Sequence, residues 1–240
     1  MRWVLGAVAS LLLTPGWAQA APVAHGRRAI AARQAAVVLL APHRVSARPA
    51  TRGRSLGVVA AVRPITGEQT VLPLLATTVD RAGHSWLRVR LPGRVLGHRP
   101  PPHVGWIEAT RTRRASLAWY IVVLLDARRV MVYREGRLVR RYPAIVGKPS
   151  TPTPRGEYFV EESVALSSNQ VGAPFALATS DRSHVLQDFD GGPGQIALHG
   201  LQNVGGTLGT AESHGCIRMA DRDISWLAAR IAPGTPVSIR

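Results

Sequence analysis

The chain has 240 residues, 46% hydrophobic and 18% charged, with a formal net charge of +16. That balance excludes an intrinsically disordered chain and leaves enough apolar surface for one large core or two small ones. Glycine (23) and proline (18) are plentiful while aromatics make up only 5%, which favours a turn-rich, β-rich fold over a helical bundle.

In chain order, residues 1–20 read as a secretory signal. Arg2 supplies the positive end, Trp3 to Leu13 the short apolar stretch, Thr14-Pro15-Gly16 the break and Ala18-Gln19-Ala20 a small-x-small cleavage site. The apolar run is too short to span a bilayer, no cysteine follows the cleavage site to carry a lipid, and no later run is long enough to cross. A secreted, extracytoplasmic chain with no stable membrane span after cleavage is therefore expected. Residues 21–34, rich in Ala, Arg and Gly, read as a linker. Charge is uneven: fifteen arginines face three acids between residues 21 and 113, whereas the remainder is nearly balanced. A basic half invites nucleic acid, but export redirects it towards anionic cell-wall polymers, so no nucleic-acid partner is expected.

Residues 35–112 read as a first β domain. Val37-Leu40, Leu56-Val62 and Thr70-Leu75 are strand-like, Trp86 to Leu91 alternates with period two, Pro92-Gly93 turns, and Gly105-Trp106-Ile107 closes the region. The Pro-rich stretch Leu96 to His103 reads as an exposed loop. Residues 113–240 read as a second β-rich domain. Trp119 to Leu125 is an apolar run suited to a strand buried on both faces. Arg129-Tyr133, the turn Glu135-Gly136 and Leu138-Tyr142 form a hairpin. Tyr158-Val160, Gln195-His199 and Pro236-Ile239 are further strands. Ile224, Leu227, Ala228 and Ile231 recur at helical spacing, with Asp221 as N-cap and Gly234 beyond the end. Tyr133 and Tyr158 are expected in the core or cleft wall.

Cys216 is the sole cysteine and stands in Ser213-His214-Gly215-Cys216-Ile217-Arg218. His199 lies 17 positions upstream, in Ile196-Ala197-Leu198-His199-Gly200. An unpaired cysteine in an exported chain invites a reactive role, because a thiolate is a strong nucleophile and a nearby imidazole can take the thiol proton. The combination points to acyl transfer through a cysteine nucleophile. His25, His43, His84, His98, His103 and His184 lie in loop-like contexts without metal spacing. His199, His214 and Cys216 could also supply three zinc ligands, but no fourth ligand or supporting carboxylate stands near them in sequence.

The two His and Cys segments resemble the L,D-transpeptidase family with its YkuD-type catalytic domain. Val146-Gly147-Lys148-Pro149 and Thr151-Pro152-Thr153-Pro154-Arg155-Gly156-Glu157-Tyr158 are similar to the segment that precedes them in that family. The Trp86 strand followed by Gly105-Trp106-Ile107 resembles a bacterial SH3-like barrel. The resemblances imply a mainly β chain: a small SH3-like β-barrel followed by a β-rich L,D-transpeptidase catalytic domain with few short helices. They also imply a peptidoglycan L,D-transpeptidase with stem peptides as partners and neither metal nor organic cofactor. Cys216 would be the nucleophile, His199 the proton donor and acceptor, and His214 a supporting group. The N–H groups of Gly215 and Cys216, with that of His214 as a further candidate, would offer oxyanion donors, and the Gly200 carbonyl would orient His199 where some members carry serine. Arg218, where others have asparagine, would bind a substrate carboxylate or brace the loop; Ser213 would contact substrate or hold the loop. Hydrolysis by the same site and attachment of protein to the wall stay open, as does a wall-binding role without catalysis. A papain-like order is disfavoured because His199 precedes Cys216. Deleting residues 21–112 is expected to weaken wall binding more than chemistry.

Overall fold

The computed structural model describes residues 29–95, 102–188 and 191–240. The signal-like segment, most of the linker and the first part of the Pro-rich loop lie outside the described residues.

The first half contains strands β1 (Gln34–Leu39), β2 (His43–Ser46), β3 (Ser55–Val59), β4 (Val71–Val79), β5 (Ser85–Arg90), β6 (Val104–Glu108) and β7 (Thr112–Leu117). They make one sheet in the order β3-β2-β6-β5-β4-β1-β7, with antiparallel neighbours throughout. Strand β7 pairs with β1 from Thr112 to Leu117, so this sheet runs past the boundary read at residue 112. The turn-rich spacing revealed β1, β3, β4, β5 and β6. Strands β2 and β7 escaped because arginine and short polar residues interrupt their apolar pattern. His43, read as a loop residue, is instead buried on β2, its ring nitrogens 2.7 and 2.8 Å from the carbonyl oxygens of Ala41 and Thr110.

The second half contains β8 (Trp119–Leu124), β9 (Arg129–Arg134), β10 (Arg137–Pro143), β11 (Val146–Gly147), β12 (Gly156–Ala165) and β13 (Phe175–Arg182). It continues with β14 (Gln195–His199), β15 (Ala211–Ser213), β16 (Ile217–Arg218), helix α1 (Asp221–Ala228) and β17 (Pro236–Ile239). Eight of these strands form a mixed sheet in the order β10-β9-β8-β17-β12-β13-β14-β16; β11 and β15 pair separately. The apolar run of β8 lies parallel to the C-terminal strand β17, and Ile121, Val122 and Val123 are buried, as a strand covered on both faces requires. Glu135 and Gly136, at φ 50° and 76°, make the tight connection between β9 and β10 that a primed hairpin turn demands. Helix α1 buries Ile224 and Leu227 against the sheet. Asp221 is its first residue rather than its cap: Ala220 occupies the cap position with no side-chain bond, and the Asp221 carboxylate is used elsewhere. Gly234 stands away from the helix end, in the turn before β17, at φ 85°.

Strand β12 joins the two halves. Successive side chains on a strand point to opposite faces. Tyr158 and Val160 accordingly enter the core of the second half, while Phe159 enters that of the first. A register shift in the β12–β13 pairing between Val160 and Glu162 accompanies two buried glutamates in succession. Glu161 meets Arg63, Arg182 and the N–H of Gly93; Glu162 accepts from the N–H groups of Ile65 and Thr66 and from the Thr66 hydroxyl. Buried carboxylates keep their charge only when so partnered. The two halves are thereby held by a hydrogen-bonded seam as well as by a shared apolar contact.

Candidate active site

Strand alternation builds the site. On β14, Ile196 and Leu198 are buried in the core, and Gln195 and His199 line a cavity of about 560 Å³. Strand β16 lies parallel to it with Leu198 opposite Ile217 and His199 opposite Arg218. Cys216, immediately before β16, faces the same cavity, as do His214 and Arg218. The thiol lies 3.8 Å from the carbonyl oxygen of Gln195, to which it can donate.

The loop that carries Cys216 is fixed from within. Ser213 is fully buried; its hydroxyl donates to the carbonyl of Cys216 at 2.6 Å and accepts from the N–H of Gly215 at 3.1 Å. These bonds tie its hydroxyl into the loop itself. Gly215 sits at φ 125°, a left-handed conformation that costs other residues dear, and a Cβ there would lie 2.9 Å from Ile196 Cδ1. The Thr-Pro repeat packs beneath: Thr151 Oγ1 donates to Ser213 O at 3.2 Å and Thr153 Oγ1 to Gly215 O at 2.7 Å. Thr153 Oγ1 also accepts from the N–H of Gly147 at 2.9 Å.

His199 is oriented by backbone. Its Nδ1 lies 2.8 Å from the carbonyl oxygen of Gly200. A carbonyl only accepts, so Nδ1 carries the proton and Nε2 presents its lone pair. Gly200 has no room for a side chain: a Cβ would lie 2.0 Å from Ala173 O and 2.8 Å from Asp221 Oδ1. That carboxylate accepts from the N–H of Leu201 at 2.7 Å and so pins the segment leaving β14.

Burial pushes the His199 imidazole below its ordinary range; the Gly200 hydrogen bond opposes this and the Arg218 charge reinforces it. Burial pushes the Cys216 thiol up, against the Ala197 N–H and Arg218, with Asp181 adding to the rise. Both shifts favour the uncharged forms, thiol and neutral imidazole.

Arg218 reaches towards the carbonyl of Gly205 at 3.4 Å, and its Nε is buried without a hydrogen-bond partner among the described residues. A guanidinium that lines the cavity with Cys216 suits a carboxylate or carbonyl. His214 is exposed, its Nε2 3.4 Å from Nζ of Lys148. Among the described residues no group of three or more His, Cys, Asp or Glu is disposed to hold a metal ion.

Sequence reasoning missed Gly172, where a Cβ would lie 2.5 Å from His199 Nδ1. It also missed Asp221 as the pin for Leu201, and Ser183 and Leu186 as cleft wall. None of these bears a local motif. Their roles arise from strands and loops distant in sequence.

The β fold thus sets a cysteine just ahead of β16 and a backbone-oriented histidine on its parallel neighbour β14, and both face one cavity together with Arg218. A sequence model of the YkuD-type L,D-transpeptidase catalytic domain matches residues 118–239, and the chain belongs to that family. It is 35% identical over 124 residues to the putative L,D-transpeptidase YkuD of Bacillus licheniformis, covering 52% of this chain and 67% of that protein. It is 27% identical over 203 residues to L,D-transpeptidase 1 of Mycobacterium tuberculosis, covering 76% and 77%. Among solved structures, an L,D-transpeptidase from Mycobacterium smegmatis matches 70% of this chain and 99% of its own at 19% identity, with a TM-score of 0.41. No helix among the described residues is long and apolar enough to cross a membrane.

Proposed function

We propose that the protein is an exported peptidoglycan L,D-transpeptidase acting through Cys216. The observation that supports this reading is that Cys216 and a His199 whose Nδ1 is committed to Gly200 O line one cavity. Cys216 Sγ attacks the carbonyl of the third residue, a diamino acid, in a tetrapeptide stem, and His199 Nε2 takes the thiol proton. The oxyanion is met by the N–H of Cys216, since that of Gly215 is engaged by Ser213. Collapse breaks the C–N bond to the terminal D-alanine, whose amine leaves with the proton from His199, and a thioester remains. The amine of a neighbouring stem then attacks the thioester, gives a proton to His199 and expels the thiolate, which recovers it. Arg218 holds a substrate carboxylate or carbonyl, and His214 supports the rim.

The signal-like N-terminus supports export. The basic first sheet, with its Trp86 and Trp106 strands, supports an SH3-like wall-binding module for anionic polymers. Product analysis with purified tetrapeptide stems tests the reaction. D-alanine released together with a cross-link between third residues supports transpeptidation; D-alanine with tripeptide alone moves the assignment to carboxypeptidase, and intact stems refute both.

A further inference from the structure

The rim of the cleft is not built by the catalytic half alone. Ser183 and Leu186 line the cavity, and the backbone around them is gripped by an arginine from the first half. Arg94 follows β5 and the Pro92-Gly93 turn, and its side chain is buried, at 8% exposure. Nη1 and Nη2 each donate to Ser183 O at 3.1 Å, and Nη2 also reaches Gln187 O at 3.2 Å and Leu186 O at 3.5 Å. Burying a guanidinium against carbonyls, with no ion pair to it among the described residues, is a desolvation cost that these dipoles offset only in part. What the arrangement produces is a fixed backbone from Ser183 to Gln187.

The grip is continuous with the chemistry. Gly93 N donates to Glu161 Oε1 at 2.9 Å and Arg182 Nε to Arg94 O at 3.1 Å, so the backbone of Arg94 is itself held by the seam. The Ser183 hydroxyl accepts from the N–H groups of Val185 and Leu186, which folds the rim into a compact turn. Ser183 N donates to Gly194 O at 2.7 Å, one residue before Gln195, whose carbonyl faces the Cys216 thiol. Between the Arg94 guanidinium and the Cys216 thiol the contacts run through backbone groups. Backbone fixed in this way leaves less freedom than side-chain contact would.

We propose that Arg94 is a positioning residue for the donor stem peptide: it fixes the Ser183–Gln187 wall against which the stem lies, so that the first sheet completes the catalytic cleft. The proposal rests on reading the cavity as the transpeptidase cleft. It changes the meaning of the first sheet, whose removal is then expected to damage catalysis on soluble stems, and not only attachment to the wall.

The test uses the full chain and a soluble tetrapeptide stem. Acylation of Cys216 is followed by intact mass against stem concentration for wild type, Arg94→Ala and Arg94→Lys, with iodoacetamide alkylation of Cys216 and a thermal melt measured beside it. Loss of the wall contact is expected to raise the half-saturating stem concentration about tenfold in Arg94→Ala, with a smaller fall at saturation, because misplacement of substrate by an ångström is costly. Alkylation by the small reagent is expected to stay within about twofold of wild type, since it needs no wall. Arg94→Lys, which keeps the charge but cannot fork to several carbonyls, is expected to fall between them. A folded Arg94→Ala with wild-type concentration dependence would overturn the proposal, as would losses equal at all stem concentrations and matched in alkylation. Should Arg94→Ala fail to fold, an unchanged half-saturating concentration in Arg94→Lys would overturn it equally. Wild-type protein that takes up no stem would overturn the functional reading itself, a result distinct from any difference between variants.

Discussion

The Nδ1 of His199 lies 2.8 Å from the carbonyl oxygen of Gly200, so the group that orients this imidazole is the backbone of the very next residue. No side chain need be supplied for it, and none fits at Gly200. The ring is nevertheless exposed to crowding from above, at Gly172. His199→Ala is expected to slow acylation of Cys216 by about 10²–10⁴-fold while the protein stays folded. Gly172→Ala, which must push the ring or strain its own φ of 84°, is expected to slow acylation as well, by about tenfold or more. Single-turnover acylation followed by mass spectrometry measures both. A fast Gly172→Ala would mean the ring position does not govern the rate.

The depressed pKa of His199 sets the acid limb of acylation. The imidazole must be neutral to accept the thiol proton, and burial keeps it neutral below its ordinary value of 6.5. The acid-side midpoint of the acylation rate is therefore expected below pH 6.5, with activity retained where an exposed histidine would be protonated. A midpoint at or above that value would contradict the burial argument. The same shift makes protonation unfavourable to the fold: stability attributable to His199 is present in full above the unfolded pKa and is lost as pH falls from there through the lower folded pKa.

Ser213 tests whether the nucleophile loop is held as described. Ser213→Ala removes the donor to Cys216 O and the acceptor for Gly215 N, at a fully buried position. Leaving those groups unpaired is expected to cost about 1–3 kcal/mol. A drop of several degrees in melting temperature, with slower acylation, is the expected result. An unchanged melt with normal acylation would show that the loop is held by other contacts.

Much of this was legible beforehand. The alternation of Trp86 to Leu91, the apolar run at Trp119 and the Glu135-Gly136 turn each correspond to an element, because local pattern and burial agree there. The His199 and Ser213-to-Arg218 segments could be singled out by residue type and spacing, and the structure brings them into one cavity. What could not be read is what depends on pairing over long distance. Strand β7 looks polar because it flanks β1 at the end of a sheet. Asp221 has the composition of a cap, yet its carboxylate is drawn to Leu201 by tertiary contact. The Thr151-to-Pro154 repeat marked a family likeness, but only folding places its hydroxyls under the Cys216 loop. Arg94 and the two successive glutamates of β12 carry no motif at all.

Asp181 offers a separate check on the electrostatics of the seam. Burial raises its carboxyl from 3.8 to about 7, against the opposing pull of the Tyr158 hydroxyl, the Arg182 backbone and the charges of Arg182 and Arg94. A raised acid makes the folded state hold a proton that the unfolded state has released, so stability falls as pH rises between these values and levels off above the upper one. The cost at pH 8 is at most about 4 kcal/mol. Asp181→Asn is neutral throughout, so its melting temperature relative to wild type is expected to rise from pH 4 to about 7 and to level off above that. A difference that does not vary with pH would show that the carboxylate is ionised and accommodated.

The central claim is that Cys216 carries the acyl group. Its most direct measurement is the intact mass of the full chain after brief incubation with a purified tetrapeptide stem, for wild type and Cys216→Ala. The account requires a stem adduct lacking one D-alanine on the wild-type protein, mapped to Cys216, and no adduct or D-alanine release with Cys216→Ala. Release of D-alanine by Cys216→Ala at the wild-type rate would contradict it.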